Sequence, residues 1–492
     1  MLQICVSLTE PTSAQVVARL PELSVAADLV EVRGDCIGDL DLLAILRAKD
    51  GALLFCCRPT AQGGRYDGDE ERRRLILLEA VKRGYDYVDV ELESGFLDVM
   101  AEKAGRGLVV SHHDHEGTPD DLAGLYARMA VCGADVVKLA VTPRSLADVG
   151  RLLDLAADVA RGGGPPLVAI AMGPLGLISR LAAGRDGAPF TYASQAAGRE
   201  AAPGQVPLAE MADLYRVRAV GPATRVYGVL GSSVQRSLSP AIHNRAFAET
   251  GVDALYVPLQ ADSVADFMAA LPSLRLAGFS VTRPYKVEIL PYLDEVDETA
   301  ALCGSVNTVV VHDGLLRGST TDGVGVTHPI RLRTELRGRR CVVLGAGGAA
   351  RAAAQALVKN GAQVRVLARD GAQAAAVAAA AGCESGALAD APGLEWDILI
   401  NATSIGSASE SPGASPLPKQ AQRAGSVVLD MVYEPLETRF LREAREAGAE
   451  TIDGLEMLVA QAAVQFETWT GQAAPVDSMR AAAEEALARR AS

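Results

Sequence analysis

The 492-residue chain has no excess of positive charge: 47 Lys and Arg stand against 61 Asp and Glu, a formal net charge of −14. Nucleic-acid phosphates and anionic membranes are bound through basic surface, so neither partner is expected. Any anionic substrate must be held by locally placed arginines and lysines. No stretch approaches the roughly 20 apolar residues of a membrane span. The start, Met1-Leu2-Gln3-Ile4-Cys5-Val6-Ser7-Leu8, has neither the basic segment nor the apolar length of a secretory signal. The eight cysteines show no paired-ligand spacing and fall mostly in apolar runs, which predicts reduced core thiols of a cytoplasmic protein. No internal repeat relates the two halves, and no oligomeric state follows from the sequence. What the chain does have is length, with 49% hydrophobic and 22% charged residues. That is too much for one core and suits roughly two to four globular domains.

The first 200 or so residues repeat a short apolar run followed by an amphipathic, Ala/Leu-rich stretch. The runs are Gln3 to Leu8, Asp28 to Arg33, Leu53 to Arg58, Tyr87 to Leu92, Gly107 to His113, Asp135 to Ala140, Leu167 to Met172 and Pro189 to Ala193. Eight β/α units at a spacing of about 25 residues predict a TIM barrel. Glu31, Arg33, Arg58, Glu91, His113 and Lys138 fall near the C-terminal ends of these runs, the rim on which barrel active sites are built. A helix over Leu208 to Val220 and a hinge at Gly221-Pro222-Ala223-Thr224 then lead to a second α/β series. Within it, Cys341-Val342-Val343-Leu344-Gly345-Ala346-Gly347-Gly348-Ala349-Ala350-Arg351 precedes a helix and a strand at Gln363 to Ala368. Strand, glycine turn, helix and strand make a Rossmann unit whose helix N-terminus receives a pyrophosphate. The alanine tract Ala372 to Ala381 reads as a helix packed on that sheet.

Lys138 lies in the apolar run Ala134-Asp135-Val136-Val137-Lys138-Leu139-Ala140. Burial disfavours an ammonium, so its amine is expected to lose a proton more readily than a free lysine and to serve as a nucleophile for carbonyls. A lysine on a sheet edge, its stem snorkelling to water, is the bland alternative. One run earlier, Ser111-His112-His113-Asp114-His115 invites a metal reading, but adjacent His112 and His113 point to opposite sides of a strand. No metal is expected; a Schiff-base lysine with one histidine as proton shuttle fits better.

Residues 1–218 resemble type I 3-dehydroquinate dehydratase through Glu31-Val32-Arg33, Arg58 with Gly63-Gly64, Ser111 and His113, Val137-Lys138, Ile178-Ser179-Arg180 and Ala202-Pro203-Gly204-Gln205. The resemblance implies that Lys138 forms an imine with the ring ketone of 3-dehydroquinate, and that His113 moves the C2 proton and protonates the departing hydroxyl. Arg180 would clamp the substrate carboxylate, and Glu31, Arg33, Arg58 and Gln205 would hold the hydroxyls. The arginines would also disfavour the protonated form of Lys138. Gln62 stands where many members carry a glutamate, and Ala201 where a serine is common.

Residues 225–492 resemble shikimate dehydrogenase through Ser237-Leu238-Ser239-Pro240 with His243-Asn244, Val281-Thr282 with Lys286, Val306-Asn307-Thr308, Thr321-Asp322-Gly323, the glycine loop, Asn401-Ala402-Thr403-Ser404, Asp430-Met431-Val432-Tyr433, and Gly454-Leu455-Glu456-Met457-Leu458 leading to Gln461. This implies a substrate-binding domain over 225–328, completed by 455–492, and a Rossmann domain over 329–454. Lys286 would protonate the carbonyl oxygen of 3-dehydroshikimate as hydride arrives, oriented by Asp322. Ser237, Ser239, Thr282, Asn307, Tyr433 and Gln461 would bind substrate. Gly345, Ala346, Gly347, Gly348, Ala349, Arg369, Thr403 and Gly454 would bind the cofactor. The strand before Arg369-Asp370 does not end in an acidic residue, so NADP is favoured over NAD, with Arg369 facing a 2′-phosphate. A bifunctional enzyme making shikimate is therefore expected. A quinate-using dehydrogenase and a ligand sensor derived from such enzymes remain the alternatives.

Overall fold

A computed structural model describes residues 1–102 and 107–491. Contacts divide the chain into two compact units. One is Met1–Tyr227 with Ser233–Gln235 and Asp253–Leu276; the other is Gly228–Ser232 with Arg236–Val252 and the chain from Ala277 onward.

In the first unit the strands are β1 (Gln3–Leu8), β2 (Leu29–Arg33), β3 (Ala52–Cys56), β4 (Tyr87–Glu91), β5 (Gly107–Asp114), β6 (Val136–Val141), β7 (Leu167–Ala171), β8 (Phe190–Ser194) and the short β9 (Val206–Pro207). Parallel ladders link them in the order β7-β6-β5-β4-β3-β2-β1-β8-β9, with helices between, as in a (β/α)8 barrel. The chain starts its helices with side chains that satisfy free N–H groups: Thr12, Asp41, Asp69, Asp121 and Ser145 each cap one. The barrel interior is a cluster of Cys5, Leu29, Leu54, Val109, Val136, Ala140, Ile170, Phe190 and Tyr192, among others. Side chains alternate along a strand, so Lys138, between Val136 and Ala140 on β6, faces that interior. Asp89 and Glu91 on β4, with Ser111 and His113 on β5, face it by the same count.

One expected element is different. Leu208 to Val220 is not a single helix but a wide turn at Glu210–Leu214 and a 3-10 turn at Val217–Ala219. Arg216 between them holds φ at 49°, in the left-handed region where a helical path breaks.

The second unit carries two sheets. One includes the antiparallel run Gly278–Val281, Thr308–His312 and Leu315–Ser319. The other is all parallel, in the order Glu384–Ala387, Gln363–Ala368, Arg340–Leu344, Ile398–Asn401, Val427–Asp430, Glu450–Ile452. Order thus reverses between Arg340–Leu344 and Ile398–Asn401, the switch point at which α/β sheets bind ligands. The alanine tract forms the helix Gly371–Ala381, which buries Ala374, Val377 and Ala381 in the core of this sheet.

Candidate active sites

In the barrel unit, Glu31, Arg33, Arg58, His113, Lys138, Arg180 and Gln205 all line one cavity of about 120 Å³. Lys138 is almost fully buried, and its Nζ donates to Oδ2 of Asp89 at 2.7 Å and to the hydroxyl of Tyr192 at 3.1 Å. Glu31 stands 3.7 Å away. The edge-strand snorkelling alternative is thereby corrected, because the amine points inward among fixed partners. The charged groups in contact with the amine are the carboxylates of Asp89 and Glu31.

Asp89 was not among the residues singled out from sequence. It is fully buried and takes hydrogen bonds from Lys138, from Arg58 at 3.2 Å and from the Ser111 hydroxyl. Burial alone would raise its carboxyl, but Lys138 and Arg58 outweigh burial and hold it at about 2. Its signal in the sequence was alternation: Asp89-Val90-Glu91 places two acids two residues apart, on one face. Tyr192 carried no comparable signal.

His113 is desolvated, and burial first, then Arg58, whose guanidinium abuts the ring, keep the imidazole well below its ordinary pKa. A histidine so placed is neutral near pH 7 and can accept a proton. Arg33 is already engaged, its fork closed on Asp35 at 2.9 and 2.7 Å. Arg180 is the opposite case. It is 1% exposed, pairs with no carboxylate among the described residues, and donates to Pro203 O at 3.1 Å, while its Nε has no partner. Burial brings its pKa down to about 10, opposed only by Tyr192. Gln205 donates to Ser7 Oγ at 3.3 Å, and Ser7 in turn donates to Glu31 at 2.7 Å.

In the second unit, Lys286 Nζ donates to Asp322 Oδ2 at 2.5 Å. Asp322 is the first residue of the helix Asp322–Arg331. Behind it Asn307 Nδ2 reaches Asp322 Oδ1 at 2.7 Å and Gln461 Oε1 at 2.8 Å, and Asn307 Oδ1 accepts the Thr321 N–H at 2.9 Å. Ser280 donates to Gln465, which fixes the Asn307 carbonyl and Thr308. Gln465 is a second supporting residue that motif reading missed. Ser237 and Ser239 meet through the Ser239 N–H at 3.2 Å. These serines, Thr282 and the desolvated Tyr433 make no hydrogen bond to Lys286 or Asp322 among the described residues; burial raises the Tyr433 phenol.

The glycine loop fits a dinucleotide. Gly345 adopts φ of 117°, and a Cβ there would meet Ala402 O at 2.9 Å. Gly347 precedes the helix Gly348–Lys359 with open space where a Cβ would project. Ala346 and Ala349 complete the loop. A Cβ on Gly348 would lie 3.5 Å from Lys286 Cδ, so loop and lysine adjoin. Thr403 is fixed by Asn401 at the end of the neighbouring strand, and a Cβ on Gly454 would come within 2.5 Å of Val432 O. Arg369 is exposed and makes no ion pair among the described residues. Asp370 instead caps the helix Gly371–Ala381 through the Ala372 and Gln373 N–H groups at 2.9 and 3.2 Å.

Fold and sites define a two-site α/β protein in which a barrel with a buried lysine precedes a dinucleotide-binding unit. The model of the type I 3-dehydroquinase family matches residues 4–222. Those of the shikimate dehydrogenase substrate binding domain, a putative NAD(P)-binding domain and the shikimate 5'-dehydrogenase C-terminal domain match 229–309, 332–448 and 454–484. A bifunctional 3-dehydroquinate dehydratase/shikimate dehydrogenase of Arabidopsis thaliana, named as chloroplastic, is 38% identical over 480 residues, spanning 92% of this chain and 79% of that protein. The shikimate dehydrogenase (NADP(+)) of Pyrococcus abyssi is 40% identical over 267 residues, 54% of this chain and 99% of that one. A shikimate 5-dehydrogenase structure from Thermus thermophilus, in complex with NADP(H) and shikimate, matches with a TM-score of 0.50 and 37% identity over 54% of this chain and 100% of that one. This chain belongs to the family of bifunctional 3-dehydroquinate dehydratase/shikimate dehydrogenases.

Proposed function

We propose that the first unit dehydrates 3-dehydroquinate through an imine on Lys138, and that the second reduces the resulting 3-dehydroshikimate to shikimate with NADPH. The observation that carries the reading is the shared cavity of Lys138, His113 and Arg180, a buried amine, a neutral imidazole and a buried cation without a counter-ion. Such an arginine suits a ligand carboxylate, which would supply the missing charge.

In the barrel, the Lys138 amine adds to the ring ketone and water leaves, giving an iminium whose positive charge sits on Nζ. Asp89, 2.7 Å from that atom, stabilises this charge. The iminium accepts the electron pair as His113 takes the C2 proton. His113 returns a proton to the leaving hydroxyl, and hydrolysis frees the amine. Glu31, Arg33, Arg58 and Gln205 are assigned to the substrate hydroxyls.

In the second unit, Ser237 and Ser239 are assigned to the substrate carboxylate, and Thr282, Asn307, Tyr433 and Gln461 to the rest of the ring. Gly345 to Ala349, Thr403 and Gly454 are assigned to the cofactor, and Arg369 to its 2′-phosphate. When bound, NADPH supplies the hydride. Lys286 gives its proton to the substrate oxygen, and Asp322, held by Asn307, orients that lysine. We assign 1–218 to the dehydratase, 225–328 with 455–492 to reductase substrate binding, and 329–454 to the cofactor. No described helix is long and apolar enough to cross a membrane. The eight unpaired cysteines support a cytoplasmic location.

The test is to add 3-dehydroquinate and borohydride, digest, and weigh the peptide that contains Lys138. A reduced adduct there is expected, and shikimate should form in a parallel reaction with NADPH. Absence of both would overturn the reading; shikimate only from added 3-dehydroshikimate would leave a reductase beside an inactive barrel.

A further inference from the structure

Among the described residues His113 makes no hydrogen bond or ion pair with a carboxylate; its polar neighbours are Arg58 and Gln62. The ladder between β4 and β5 ends at Glu91 and Ser111, while β5 continues beside β6 as far as Asp114. Beyond the end of that ladder, the His113 N–H finds its acceptor in Gln62 Oε1 at 3.0 Å. With its oxygen so used, the Gln62 amide must turn its NH2 outward. It donates to Glu93 Oε2 at 3.0 Å. The other oxygen of Glu93 receives His112 Nδ1. Burial would raise the Glu93 carboxyl, but His112 outweighs burial and keeps it ionised.

His112 and His113 project to opposite faces of β5. Glu93 therefore grips the strand twice, through the His112 ring on one side and through Gln62 at the backbone of His113. Gln62 also lines the cavity, so a shift in its amide reaches both the backbone that carries the imidazole and the wall of the site.

We propose that Glu93 and His112 are positioning residues for the dehydration, a displaced carboxylate and its partner that act on His113 through Gln62. This rests on the dehydratase reading above. Reacting groups misplaced by about 1 Å lose up to about 10²-fold in rate. Loss of one link in this chain, which leaves His113 in place but less constrained, is expected to reduce kcat by about tenfold.

The full chain is assayed for dehydration, with reductase activity and thermal midpoint measured on the same preparations. Glu93→Ala is expected to lower kcat by about tenfold with KM, thermal midpoint and reductase activity little changed. Gln62→Glu sets two carboxylates face to face and should be as slow. The double variant Gln62→Glu/Glu93→Gln exchanges donor and acceptor. The amide introduced at position 93 can donate to the carboxylate introduced at position 62, which still accepts the His113 N–H, so this variant should recover most of the lost turnover. Wild-type turnover in Glu93→Ala, or a double variant no faster than Gln62→Glu alone, would overturn the proposal. A thermal midpoint that falls in step with kcat would also overturn it, by reducing Glu93 to a structural role. A wild-type chain that does not dehydrate 3-dehydroquinate would overturn the dehydratase reading together with this one.

Discussion

The two sites each set a lysine against an aspartate, at 2.7 Å for Lys138 and Asp89 and 2.5 Å for Lys286 and Asp322, yet their surroundings differ. Lys138 is enclosed, its side chain 4% exposed, with Tyr192 and Glu31 near the amine. Lys286 is 16% exposed and bonded to Asp322, whose support is passed back through Asn307 to Gln461 and Gln465. A residue that becomes covalently part of its intermediate needs its charge balanced where the bond forms, away from water. One that only donates a proton needs a fixed direction and access to the side from which cofactor and substrate arrive. The roles proposed for the two lysines match that difference: one pair lies in a closed interior, and the other has its aspartate at a helix start.

The largest break in that comparison is Lys138→Ala. It should lower dehydratase turnover by on the order of 10⁶-fold, as removal of a nucleophile does, and abolish the borohydride adduct while shikimate dehydrogenase activity persists. Lys286→Met should do the reverse, costing about 10²–10⁴-fold in reductase kcat, the usual contribution of a general acid, with dehydration intact. Residual reductase activity near wild type would show that another group donates the proton. Arg180→Met should act on binding: loss of a charge-assisted contact of about 1.5–3 kcal/mol corresponds to roughly 10- to 100-fold in the KM for 3-dehydroquinate. Because the variant also removes a buried cation, its thermal midpoint should not fall. The smallest effect is one of pH. Burial first and Arg58 second hold His113 below the ordinary 6.5, so the acid limb of dehydratase kcat/KM should lie below pH 6.5 in the wild type. Arg58→Gln should move that limb to higher pH, because losing the neighbouring cation makes protonation of the imidazole easier. A limb that stays in place would mean that desolvation alone sets it.

Much of this architecture is legible in the sequence. The eight barrel strands fall within a residue or two of the apolar runs, because the middle of each run is buried and its ends are marked by exposed or half-buried residues such as Gln3 and Gly107. The segment 208–220 reads as a helix because helix-forming residues surround Arg216, and nothing in the identity of Arg216 announces the left-handed backbone that breaks it. Lys138 stands out because a cation in an apolar run is rare. Asp89 does not, because an acid in an alternating strand is as readily a solvent-facing residue. The register sets Lys138 opposite Ser111 and Ser111 opposite Glu91, with Asp89 one pleat earlier opposite Val109, so only the side-chain geometry of the folded barrel shows that Asp89 is the carboxylate that reaches the amine. In the second unit, motif order points to Lys286, Asp322 and Asn307. The role of Gln465 depends on a helix more than 150 residues further along the chain, a distance over which local pattern carries no information.

The engagement of Asp370 has a practical consequence for anyone wishing to retune this reductase toward a different redox carrier. The obvious edit, exchanging the acidic residue beside Arg369, would strip the helix Gly371–Ala381 of the carboxylate that satisfies its first amides, a loss worth about 1 kcal/mol. A redesign that instead alters Arg369, the residue proposed to meet the 2′-phosphate, leaves this anchor in place, so on that proposal selectivity and foldability are adjusted at separate positions along one short turn.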